Sequence, residues 1–416
     1  MTKSEANELS SGKKKVIFDM LLNIVAAALP VAMLQLIIYP KVAKNLGGDE
    51  YGLMLTIYSI WIMISNSLGN VLNNIKLLRY PQYQEIGEDG DISLLLYHWL
   101  VAGSAIVFVV ICLYYGNFTF LHGLLGCIVG ALMFLKAYLE VGFRIKLNYQ
   151  YILINNALMS VGFLGGYLLF RITGIWEFIF LVGYLLSCTF CEIKTKLLRE
   201  RPKKTSIFSE VCKDSYSLVI AAVINNLINY ADKLVLYPLM GGTAVSIYYT
   251  ATILGKITGM LTGPINSVIL SYITRWDKSR ANVFSKVLLI GTAVIIAGYG
   301  CTMLISRPVI NLLFPQWIDE VMEIMPLTTI TIMLTLLSSF LQPFVMKYCK
   351  MQWQIGISAI GSGCYFICAL ILWKIMGLNG FCIGTIIGCV VKLTIMVIVY
   401  RKSTSLGIDG SPNKCE

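Results

Sequence analysis

Charge is scarce in this sequence. Of its 416 residues 13% are Asp, Glu, Lys or Arg, against 57% hydrophobic, and the mean hydropathy is +0.74. A soluble chain of this length cannot cover so much apolar surface, so the composition excludes the soluble classes and points to an all-α polytopic membrane protein. Histidine is nearly missing, with two residues. No P-loop, nucleophile elbow or HExxH stretch occurs, so neither a catalytic motif nor a nucleotide-driven motor is legible, and no cofactor is expected. The twelve cysteines form no framework. Most lie inside apolar runs, where a thiol acts as a small apolar group, and Cys188 and Cys191 lack the second pair that zinc needs.

What the sequence has in abundance is long apolar runs. A helix of about 20 residues spans the hydrocarbon core, and that ruler predicts twelve spans: 17–39, 53–74, 94–115, 119–139, 151–170, 174–190, 215–238, 244–271, 285–312, 321–345, 353–374 and 378–400. Lys13, Lys14 and Lys15 precede a run as long as a full span, so it is read as the first helix and not as a cleaved signal. With the amino terminus inside, 25 of the 33 basic residues fall on cytoplasmic segments, which places both termini and the basic stretch KTKLLRERPKK in the cytoplasm. Its position between two spans explains that stretch without nucleic acid, and contact with anionic headgroups is compatible with it.

The basic stretch divides the chain into an amino-terminal bundle of six helices (1–190), a cytoplasmic linker (191–214), a carboxy-terminal bundle of six (215–400) and a tail (401–416). An internal repeat supports the division. LIIYPKVAKNLGGDEYGLMLTI at 36–57 and LVLYPLMGGTAVSIYYTATI at 234–253 share an apolar triplet, Tyr-Pro, a Gly-Gly pair and a Thr nine residues beyond the first Gly. On this reading Tyr39 and Tyr237 anchor at the interface, Pro40 and Pro238 stop the helix, and the glycine pairs turn the chain. Six spans per half make the repeats parallel, the arrangement in which transporters bind substrate between halves.

Polar residues inside the spans are the candidate site. At about 100° per residue, Asn225, Asn226, Asn229, Asp232 and Lys233 of the seventh span fall within an arc of roughly 120°. Such a stripe faces protein or water, either lining a hydrated cavity or pairing with neighbouring helices and headgroups. In the eighth span Thr252 and Lys256 share a face with Gly259, Gly263 and Asn266. Lys256 is near mid-span, too deep to snorkel, so its ammonium requires a carboxylate or an anionic substrate. Asn66, Asn70 and Asn73 make an uncharged face on the second span. Pro30 and Pro264 are candidate hinges, and His98 and His122 read as interfacial.

The segment GGTAVSIYYTATILGKITGMLTGPINSVILSYITRW at 241–276, with Lys256 at the basic position and Pro264 at the proline, resembles the helix 7–8 region of Wzx-type O-antigen and polysaccharide flippases. LGGDEYGLMLTI at 46–57 is similar to the first-half counterpart, and Asp232-Lys233 stands where many relatives show Asp-Arg. These flippases belong to the multidrug/oligosaccharidyl-lipid/polysaccharide exporter superfamily. The resemblance implies two six-helix bundles in a MATE-like V around a central cavity, in a bacterial cytoplasmic (inner) membrane. It implies a substrate, undecaprenyl-pyrophosphate-linked oligosaccharide, carried to the outer face, with membrane lipids, a polysaccharide polymerase and a chain-length regulator as partners. The first half departs from the pattern, since no intramembrane cation is evident there. An ion-coupled multidrug exporter of the same superfamily and a non-transporting scaffold for polysaccharide assembly are the rival readings.

Overall fold

A computed structural model describes residues 22–114, 120–259, 280–349 and 351–405, and all regular structure among them is helical. Among the described residues eight helices are long and apolar enough to cross a membrane, with a ninth, bent one over Phe208–Leu227 and Asn229–Gly255. Three of the continuous runs conceal a break at a glycine with non-helical dihedrals: Gly47 (φ 79°, ψ −178°), Gly241 (φ 79°, ψ −179°) and Gly377 (φ 59°, ψ −134°). Divided at these points the segments are α1 (22–46), α2 (48–86), α3 (Asp91–Tyr114), α4 (Phe120–Ile145), α5 (Tyr149–Thr173), α6 (Glu177–Thr195), α7 (208–240), α8 (242–259), α9 (Arg280–Leu313), α10 (Ile318–Tyr348), α11 (351–376) and α12 (378–405). As far as they are described, the predicted spans each fall on one of them, 17–39 from residue 22 onward and 244–271 as far as Gly259.

That the glycines reverse the chain follows from contacts across them. The rings of Tyr39 and Tyr58 lie 6.3 Å apart, whereas nineteen residues of straight helix would separate them by roughly 28 Å. At the other end of the chain Gly361 faces Lys392, Tyr365 faces Gly388 and Ala369 faces Gly384, which is the register of an antiparallel hairpin turning at Gly377. The sequence reading assigned the stops to Pro40 and Pro238. Helix runs through both, and the chain turns at the first glycine of each pair. Proline removes one helical donor, which a neighbouring π turn or the helix end can absorb, while reversal needs the positive φ that glycine reaches without steric cost.

The repeat extends to detail. Gly47 and Gly241 have the same dihedrals, and Thr56 and Thr250, both fully buried, each donate 2.8 Å bonds to the carbonyl four residues earlier. Tyr39 is 1% exposed, so it is a core residue and not the interfacial anchor expected of it. Tyr237 is half-buried against Tyr114.

The chain forms two compact units, Met1–Val245 and Ser246–Glu416. The core of the first gathers Leu72, Ile75, Trp99, Tyr138, Phe143, Cys188 and Cys191, so the CxxC pair is buried packing. The second is centred on Phe284, stacked 3.9 Å from Tyr400, with Phe344 on its edge. In the first unit α2 overshoots its predicted end at residue 74 and continues to Ile86. The connection after α6 is strapped onto this extension. Lys76, 5% exposed, pairs with Glu200, which also accepts from Ser93 at 3.3 Å. Asp91, fully buried, accepts from the Thr205 amide at 2.7 Å and from Tyr83 at 3.2 Å. Lys203 reaches Glu88 at 2.7 Å. Lys76 is therefore a buried cation of the first half, on the segment read as cytoplasmic, and a carboxylate neutralises it.

Two outcomes test this account. Gly47→Ala and Gly241→Ala force a Cβ into the left-handed region and should each cost about 1–2 kcal/mol, whereas Gly300→Ala, in open space on α9, should be neutral; thermal melting in detergent separates them. Lys76→Met should destabilise by about 3 kcal/mol because it strands Glu200, and most of that loss should return in the Lys76→Met/Glu200→Leu double variant.

Candidate functional site

In the first unit α2 lies beside α7 and the first turn of α8, and touches them at three levels. At the turn end the approach is backbone to backbone. A Cβ on Gly52 would sit 1.9 Å from the Gly242 carbonyl oxygen, and one on Gly242 would sit 2.1 Å from that of Asp49. Only glycine permits such proximity. Asp49 Oδ1 accepts from the Thr243 amide at 2.9 Å and from its hydroxyl at 2.7 Å. The carboxylate thus caps the first turn of α8, where orphan amides and the helix dipole favour negative charge. Asp49 and Thr243 occupy the same position of the two repeats, so the turn of one repeat is latched to the turn of the other.

Midway along, the pair carries a polar seam. α2 contains a π turn at Ser65–Gly69, whose extra residue per turn spreads its polar side chains over two faces. Ser65 donates to the Met133 carbonyl at 2.9 Å and Asn73 to that of Ala137 at 2.8 Å, anchoring one face to α4. The other face meets α7. Asn226 donates to Ser67 at 3.0 Å, the Tyr230 hydroxyl reaches Asn66, and Asn70 donates to Asn66 at 2.9 Å. Of the predicted site residues, Asn66 is therefore brought to the seventh helix, with Asn70 bonded to it from one turn further along α2.

The others are distributed differently. Lys233 is 5% exposed with its ammonium 5.4 Å from the centre of the Tyr230 ring, a cation–π contact beside the seam. Asp232 is half-buried, and its Oδ1 accepts from the Lys233 amide at 2.9 Å. Asn225 and Asn229 are exposed and lie off the seam. Thr252 belongs to the second unit, buried with its hydroxyl donated to the Tyr249 carbonyl at 2.8 Å, a local bond that already occupies its proton. Lys256 is on the helical backbone of α8, one residue beyond Gly255, which packs on Ile332 of α10; its side chain lies outside the described residues, as does Pro264. Pro30 is buried in an unbroken helical run that relaxes into a π turn at Met33–Ile38, as expected where a proline removes a helical bond.

Three groups escaped the sequence reading. Ser67 and Tyr230 look unremarkable at their positions, and the facing helix alone gives them a role. The Asp49 cap was readable, because an acid directly after Gly-Gly at a helix start is a capping signal. His122, read as interfacial, is 2.7 Å from the carboxylate of Glu177, which is 1% exposed. At the far end of α2, Arg79 contacts Glu210 at 3.3 Å and Asp214, both on α7. Among the described residues no cluster of His, Cys, Asp or Glu is arranged to hold a metal.

By sequence, no family model and no curated relative matches the chain. Its structure is similar to several solved ones. The inward-facing conformation of a multidrug resistance MATE family transporter of the MOP superfamily aligns over 94% of this chain and 100% of its own, with a TM-score of 0.66 and 14% identity. The lipid II flippase MurJ in an inward closed conformation aligns over 95% of this chain and 94% of its own, at 0.66 and 14%. A MOP superfamily transporter from Pyrococcus furiosus, described by a reversed polarity of its binding pocket, covers 95% and 96%, at 0.60 and 14%. Over nearly its whole length, then, this chain has the fold of MOP-superfamily transporters, shared by multidrug exporters and a lipid II flippase.

Proposed function

We propose that the protein is a flippase that moves undecaprenyl-pyrophosphate-linked oligosaccharide, an O-antigen or other surface polysaccharide unit, from the inner to the outer face of the cytoplasmic membrane. The observation that carries this reading is the seam of α2 and α7, a line of amides and hydroxyls from Asn66 to Asn226 flanked by Lys233, running through two otherwise apolar helices. Neutral donors and acceptors of this kind suit sugar hydroxyls, and a hydrocarbon environment makes them costly to keep without a polar occupant or partner. Lys256, from its depth in α8, would offset the desolvation of a pyrophosphate. The likeness to a lipid II flippase supports a lipid-linked substrate, whose tail stays in the bilayer while the headgroup crosses.

In this scheme the bundles 1–190 and 215–400 rock about Pro30 and Pro264, and the Asp49–Thr243 latch closes the outer end. The latch is a single carboxylate oxygen holding two hydrogen bonds from Thr243, and in this scheme it breaks and re-forms as the outer end opens and closes. Asp232 is the proposed proton site. The ion-coupled multidrug exporter is the second reading, favoured by the MATE structures among the neighbours; it calls for an acidic cavity, and the deep charge here is Lys256.

Lys256→Ala should fail to restore surface polysaccharide in a flippase-null strain while reaching wild-type abundance; full restoration removes Lys256 from the mechanism, and a parallel fall in abundance favours the scaffold reading. In proteoliposomes Asp232→Asn should abolish dependence of transport on a pH gradient, and an unchanged dependence removes Asp232. Asp49→Ala should increase labelling of a cysteine at Ser67 by an outside-added, membrane-impermeant maleimide several-fold, relative to the same cysteine with Asp49 intact.

A further inference from the structure

The third contact between α2 and α7 encloses an open pocket of about 270 Å³. Ile75 and Leu78 of α2 and Leu218 of α7 form apolar walls, with Ser217, Arg79 and Asp214 completing it. That volume is below the roughly 300–1,000 Å³ of a site for a drug-sized molecule, so it suits a headgroup and the start of a chain. Arg79 lies five residues, or roughly 7.5 Å of helix, beyond the predicted end of the second span.

The charges around the pocket are unequal in mobility. The Arg79 side chain is 20% exposed and is held from its own helix by Gln82 Oε1, which accepts from it at 2.7 Å. Its two acidic partners come from the facing helix and are far more exposed, 48% for Asp214 and 68% for Glu210. If α7 shifts, the guanidinium stays with α2 and loses both carboxylates. A guanidinium in that position presents its planar fork to the next oxyanion available, and phosphate oxygens fit it in bidentate geometry.

We propose that this pocket is a docking site for a lipid-borne phosphate or pyrophosphate, in which the phosphate displaces Asp214 and Glu210 from Arg79 and so releases α7 from α2. The chain of the lipid lies on Ile75, Leu78 and Leu218. The proposal rests on the reading of the protein as a carrier of lipid-linked substrate and assigns it a first contact on the cytoplasmic side. Substrate arrival and helix release become one exchange, because the same guanidinium cannot serve both sets of oxygens.

The test is a titration of the purified full-length protein with farnesyl pyrophosphate, followed by native mass spectrometry, with farnesol and inorganic pyrophosphate as separate arms. Farnesyl pyrophosphate should bind more tightly than either. Arg79→Gln should weaken it about tenfold, the worth of one charge-assisted pair, and Arg79→Lys, which keeps charge without the fork, should fall between. Glu210→Gln/Asp214→Asn should act in the opposite direction and tighten binding several-fold, since the competitors are gone. Arg79→Gln and Glu210→Gln/Asp214→Asn shifting binding in the same direction, or Arg79→Gln leaving it unchanged, would overturn the proposal. Equal binding of inorganic pyrophosphate would overturn the lipid part and identify a soluble phosphate as the source. Opposite shifts in binding, together with no movement of lipid-linked oligosaccharide in proteoliposomes, would sustain the site and reject the flippase reading.

Discussion

Inside hydrocarbon a backbone amide without a partner costs several kcal/mol, so a membrane chain is confined to helices and reverses only where the ends can be satisfied. This constraint organises the whole protein. Tight reversals at Gly47, Gly241 and Gly377 use positive φ to turn within one residue, leaving few donors to be capped. Where donors remain, a side chain takes them, as Asp49 does at the start of α8. Absence of a Cβ serves a second purpose at the first two turns, because Gly52 and Gly242 let two backbones meet at van der Waals contact.

The same economy governs charge. Ionic groups at the linker end of α2 are paired: buried Lys76 with Glu200 and the more exposed Arg79 with Glu210 and Asp214, while buried Asp91 accepts hydrogen bonds from Thr205 and Tyr83. These pairs tie the connection 196–207 and the beginning of α7 to the first unit, which explains why α7 clusters with helices that precede the basic stretch. Helix seven is bound by amide and hydroxyl contacts in its middle and by exposed ion pairs at its linker end, and the turn that follows it by a backbone approach. Polar contacts and exposed ion pairs exchange readily with polar ligands; close packing does not. The polar seam and the Arg79 pocket are consequently the parts of this helix pair where ligand chemistry can act.

Much of the architecture was legible because it is written in local periodicity. Apolar runs of membrane length, glycine pairs and the Tyr-Pro repeat each report on adjacent residues, and each found its helix or turn. Errors arose where one residue has two local meanings. Pro40 and Pro238 read as stops, yet a helix tolerates proline near its ends. Tyr39 reads as interfacial, yet it is buried against Tyr51 and Tyr58. The end of α2 was set at residue 74, just before the first basic residue, and Lys76 went unnoticed because a buried cation looks like a loop cation until its carboxylate is known.

By itself the sequence determined that this is an all-helical, multi-pass membrane protein with two repeats, and which spans carry polar faces. Composition and period suffice for that, since the bilayer acts on each span separately. Only tertiary structure decided which polar faces meet. Asn66 was brought to Tyr230 and Ser67 to Asn226, Thr252 was consumed by its own backbone, and Arg79 was set against two acids more than 130 positions away. Such pairings depend on helix rotation and contact between distant segments, quantities on which a one-dimensional pattern carries no information.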